Sequence, residues 1–196
     1  MSEEARFEVI AAGFSGNQSV AESGLLSPDG STRASALRAL ARLQVLSPDT
    51  VTDFLCDEDP EVRRTAVELA APFGSVLVHT LIDDDDVFVA EMTAWCLGER
   101  LPIRDEEINI LIDRTTSHAE AVVREACAAA LGSIGDERGL TAILAACADK
   151  PAVRRRAILA LAPFEGDDVD AALTKALDDK DWQVRQNAED LLNPRG

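Results

Sequence analysis

The chain has 196 residues, 46% of them hydrophobic but only 4% aromatic, with no tyrosine. That excludes a wholly disordered chain and points to one domain with an aliphatic, alanine-rich core, as in close-packed helices rather than a β-sandwich. Its 36 Asp and Glu against 19 Lys and Arg leave a net charge of −17, which repels phosphate backbones and anionic lipid, so the expected partner is a basic protein, with no nucleic acid and no membrane.

The same charge also reads as a heavily solvated surface. The first residues, MSEEARFEVIAAGF, carry acidic side chains where a signal peptide needs basic ones, and their apolar run is too short to span a bilayer. Cys56, Cys96, Cys127 and Cys147 form no CxxC pair and read as small buried hydrophobes. His79 and His118 stand far from metal-ligand spacing. The expectation is a cytoplasmic protein with no metal and no cofactor; its oligomeric state is not encoded in any pattern we recognise.

In chain order, residues 1–26 are irregular, interrupted by GFSGNQS, and are expected to supply an N-terminal cap and a first helix. A repeat then runs over 27–193 within a single repeat domain, 1–196. Its column zero is occupied by Arg33, Arg63, Ala90, Arg124, Arg154 and Arg185, at separations of 30, 27, 34, 30 and 31 residues. Self-similarity at such a period marks a solenoid.

One residue earlier stand Thr32, Val62, Val89, Val123, Val153 and Val184, and three later Ala36, Ala66, Thr93, Cys127, Ala157 and Ala188. Seven later come Leu40, Ala70, Leu97, Leu131, Leu161 and Leu192. Positions −1, +3 and +7 share one helix face, so each unit carries a helix B buried along that face. The small residue at +3 lets a neighbouring helix approach. At −4 stand Asp29, Asp59, Asp86, Glu120, Lys150 and Asp181, where a carboxylate caps free N–H groups. The arginines are expected to pair with such carboxylates.

Between the B helices lie second amphipathic segments, expected as A helices: 48–56, 75–82, 105–115, 136–148 and 167–178. No segment alternates as a strand would. The pattern D-x-x-V-R-x-x-A-x-x-x-L behind an amphipathic helix, covering roughly 17–193, resembles the short HEAT-like repeat of phycobilisome lyase subunits. The fold class expected is all-α, a right-handed α-solenoid of about six HEAT-like helix pairs. The third unit, with Ala90 and Thr93, departs most from the pattern.

The resemblance implies a non-catalytic interaction module, or alternatively an accessory subunit of an enzyme, of the phycobilin lyase type. HEAT-like deoxyhypusine hydroxylases hold iron with His-Glu pairs, and neither histidine here precedes a Glu. HEAT-like DNA glycosylases need a basic groove lined with aromatics, which a charge of −17 opposes. The run Asp83 to Asp86 lacks calcium-loop spacing and reads as a solvated turn with one capping residue. Lys150 and Arg154 to Arg156 form the one dense basic patch, read as a repeat arginine with solubilising neighbours.

Positions +1 and +5 of each B helix point away from the buried face and should form exposed rows. In row +5, Trp95, Ala129 and Leu159 are apolar over three consecutive repeats; in row +1, Glu91 and Glu125 border them and Arg155 follows. An exposed Trp among small apolar neighbours with a charged rim has the composition of an interface centre. These six are the candidate partner-binding residues, and no catalytic residue is expected.

Overall fold

A computed structural model describes residues 3–100 and 102–193, and all regular structure among them is helical. The α helices are α1 (Glu3–Ser15), α2 (Gln18–Gly24), α3 (Gly30–Arg42), α4 (Pro48–Phe54), α5 (Pro60–Leu69) and α6 (Val87–Gly98), followed by α7 (Asp105–Ser117), α8 (Ala121–Ile134), α9 (Leu140–Ala146), α10 (Pro151–Ala160), α11 (Asp167–Ala176) and α12 (Trp182–Leu192). By internal packing the chain divides into two compact units, Met1–Cys96 and Leu97–Gly196.

The B helices α3, α5, α6 and α12 start at their aspartates. Asp29 accepts from Thr32 N, Asp59 from Glu61 N, Asp86 from Phe88 N and Asp181 from Gln183 N, at 2.8 to 3.0 Å. Each satisfies a donor the helix cannot satisfy itself. Glu120 and Lys150 occupy the same position without capping through their side chains. The columns −1 and +3 are buried in all six B helices, Ala66 and Ala157 among them, and column +7 is buried except for Leu192 at the end.

In the first unit α1 and α2 both pack against α3, around Ala12, Ala21, Ala39 and Leu40. α2 takes the A position before α3, and α1 meets α3 as one B helix meets the next. The segment 75–82 is not an α helix as expected. It holds only a 3-10 turn, His79–Asp83, although Val76, Val78 and Ile82 are buried. The reason is length: the 27-residue spacing, with Pro72 and Gly74 after α5, leaves no room for a full A helix.

Consecutive B helices touch through small residues. A Cβ built on Gly132 of α8 would lie 2.6 Å from Ala160 Cα of α10. Gly98 stands in the same relation to Ala130, and Gly13 to Ala39, at 2.9 and 3.0 Å. Because the obstacle is backbone, it cannot swing aside. Gly132→Ala should therefore destabilise by about 1–3 kcal/mol through overpacking, against the ~1 kcal/mol that alanine gains over glycine in a free helix. Urea titration checks the sign, and a stabilised variant would show that the helices can separate at no cost.

Four of the column-zero arginines tie their repeat to the following one. Within the first unit Arg33 grips Asp57 through Nε and Nη2, at 2.8 and 2.6 Å, and Arg63 grips Asp84 at 2.8 and 2.7 Å. Within the second, Arg124 grips Asp149 at 2.6 and 2.8 Å, and Arg154 grips Asp179 at 2.9 and 2.7 Å. The remaining Nη1 of each donates to a carbonyl in its own turn: Ser27, Asp57, His118 and Asp149. The partners are thus not the capping carboxylates at −4, as expected, but aspartates just ahead of the cap of the next repeat.

Candidate partner-docking surface

Glu91 and Met92 lie three and four residues after Phe88, and four and three before Trp95, so the four share one face of α6. Opposite them stand Arg64 and Glu68, one turn apart on α5. Together the six line a groove of about 380 Å³ in the first unit. Trp95 is 44% exposed and Phe88 58%. Glu68 also lies 3.5 Å from Arg38 of α3, with both side chains partly open to water. The sequence put Trp95 and Glu91 on this surface. It missed Phe88 and Met92 because it compared only two columns rather than a whole helix face. It left out Glu68, which stands in the same column as Trp95, because only the apolar stretch of that column was followed.

In the second unit Leu159 is 42% exposed and Ala129 half-buried. Glu125 lies 3.7 Å from Arg156, not beside Arg155. Arg155 donates to the Gln183 side chain and to Pro151 O, and stands 3.8 Å from Asp181. Its guanidinium therefore works between repeats.

Row +1 is not the exposed row expected. Ala34 is fully buried, and Arg64, Glu91, Glu125, Arg155 and Gln186 are half-buried. A B helix packs against its A helix on one side and against other B helices along the stack, as α10 does against α9, α8 and α12. That covers part of the back face as well.

The charge clusters noted in the sequence are engaged in the fold. Asp84 is held by Arg63 and accepts from Asp86 N, while Asp86 caps α6. In the basic patch Arg154 is held by Asp179 and Arg156 faces Glu125. Cys147 lies along a further groove of about 830 Å³ beside Ala148, Ala171 and Ala172. Burial pushes its thiol up to about 11, so it is a thiol rather than a nucleophilic thiolate at neutral pH. Among the described residues no group of three or more His, Cys, Asp or Glu could hold a metal ion, and no helix is long and apolar enough to cross a membrane.

A family model for HEAT repeats matches residues 74–162 and 108–193. No curated protein matches the chain. Among solved structures, YibA of Escherichia coli is similar at 18% identity, with 98% of this chain and 75% of that one aligned and a TM-score of 0.71. A designed armadillo repeat protein in complex with the peptide (KR)4 is similar at 18% identity, over 88% of this chain and 96% of its own, with a TM-score of 0.61. At these identities the likeness concerns the fold.

Proposed function

Because the chain belongs to the HEAT repeat family, whose folds are helical repeat scaffolds, we propose that it is a non-catalytic docking module that holds a basic partner protein on its B-helix surface. The observation that carries this reading is the Trp95 groove, an apolar opening bordered by Glu68 and Glu91 in the more acidic unit. Residues 1–96 hold 17 Asp and Glu against 6 Arg, with no Lys. A field of that sign speeds encounter with a basic chain, while a desolvated aromatic supplies most of the hold.

Docking residues in the first unit are Trp95 and Glu91. In the second they are Leu159 and Ala129, with Glu125 and Arg155 on their border. The designed armadillo repeat protein of similar fold was solved with a basic peptide, which suits an extended basic segment as the partner here. No disulfide joins cysteines among the described residues and Cys56 is exposed, which suits a reducing cytoplasm.

The test is fluorescence anisotropy with labelled (KR)4 and an acidic peptide of equal length. The basic peptide should bind, and its affinity should fall steeply as salt rises. Equal affinity for both peptides, or none for either, would remove the basis for a basic partner.

A further inference from the structure

We infer that the groove between α5 and α6 is an arginine anchor, which takes a guanidinium of the partner between the Trp95 indole and the Glu68 carboxylate. The inference rests on the docking role proposed above and specifies the side chain read at one position.

Row +5 of the first unit runs Arg38, Glu68, Trp95 on three successive B helices. Arg38 and Glu68 stand 3.5 Å apart, a loose contact that leaves Glu68 43% exposed. A carboxylate so placed can accept a second cation from the Trp95 side. Phe88 and Met92 give the groove an apolar floor on which the methylene stem of an arginine can lie. Glu91, one turn before Trp95, adds a second carboxylate on the same face.

Arg64, one turn before Glu68 on α5, repels cations, which favours approach of the guanidinium from the Trp95 side. This unit already contains such a stack: the Arg42 guanidinium lies 4.0 Å from the centroid of the exposed Phe14 ring. Arginine is favoured over lysine because its planar, weakly hydrated head stacks on an indole while still donating to a carboxylate.

The chain has two tryptophans, so Trp182→Phe leaves Trp95 as the sole indole reporter. In that background (KR)4 should change Trp95 emission along the same isotherm that anisotropy records. Replacing the peptide's arginines by citrulline, which keeps the shape and removes the charge, should weaken binding at least tenfold, and (KK)4 should bind several-fold more weakly. Glu68→Gln should weaken (KR)4 about tenfold. Glu8→Gln, the same charge change on α1, should change it less than twofold. Circular dichroism confirms that each variant is folded. If anisotropy shows tight binding while Trp95 emission is silent, or if Glu68→Gln and Glu8→Gln behave alike, the anchor is wrong and the docking role stands. If wild type binds no basic peptide, both fall together.

Discussion

Glu107→Ala is expected to cost about 3–5 kcal/mol of unfolding free energy, the range for removing one partner of a buried ion pair. Glu107 and Arg100 are 2% and 3% exposed, and Arg100 Nη1 donates to Glu107 Oε1 at 3.0 Å. The other oxygen, Oε2, accepts from Arg104 N at 3.2 Å, where Glu107 occupies the third position of α7. One side chain thus neutralises a buried cation and closes a helix start. Truncating it removes the carboxylate partner of a guanidinium that water cannot reach. The double replacement Arg100→Leu with Glu107→Leu removes both charges and should lie nearer wild type than either single change, a positive coupling in a double-mutant cycle. A loss under 1 kcal/mol for Glu107→Ala in urea would mean that the site hydrates.

This pair sits in the 34-residue spacing between Ala90 and Arg124, the longest in the chain. The sequence marked the third unit as irregular through Ala90 and Thr93 but did not show what filled the spacing after it. A single Glu in DEEINILI looks like any first-turn carboxylate, and its partner lies outside the helix. What was legible was periodic: the buried −1, +3 and +7 columns follow from 3.6 residues per turn, and the capping aspartates from the chemistry of a helix start.

Partnerships between repeats were not legible, because residues 21 to 25 apart meet only once the helices stack. A signal for them did exist. Asp57-x-Asp59, Asp84-x-Asp86 and Asp179-x-Asp181 repeat the same doublet, the first Asp taking the arginine and the second capping the helix. The segment 75–82 misled for the opposite reason. Its apolar spacing suits a helix, but the shortened repeat overrides it. Trp95 was visible as an outlier in its column and Glu91 beside it, whereas the far wall of the groove, Arg64 and Glu68, needed the neighbouring helix.

Cutting one rung of the arginine ladder separates its structural role from mere surface charge. Asp57→Asn should cost about 3 kcal/mol, since Arg33 and Asp57 are 9% and 10% exposed and the pair is bidentate. Arg185→Ala should be near neutral: that arginine is exposed and donates to the Asp179 and Lys180 carbonyls. The ladder also fixes the acid response. Burial is the largest single effect on the Asp57 and Asp84 carboxyls and pushes them up. The hydrogen bonds from Arg33 and Arg63, those from the Asp59 and Asp86 N–H groups and the arginine charges together outweigh it and hold both below the usual range. At Asp149 and Asp179 the hydrogen bonds from Arg124 and Arg154 are the larger effect and lower them likewise. A carboxyl lowered on folding contributes stability that is full above its unfolded value, about 3.9, and is lost as pH falls through the folded value. Between pH 7 and the sequence pI near 4.4, acid relieves self-repulsion without touching these rungs. Urea midpoints should therefore hold or rise from pH 7 to about pH 5 and fall steeply below about pH 4. Asp57→Asn should start lower and fall less on that acid limb, having one fewer depressed carboxyl to protonate. Parallel curves for wild type and variant from pH 5 to pH 3 would show that the Arg33–Asp57 pair does not hold the first repeats together.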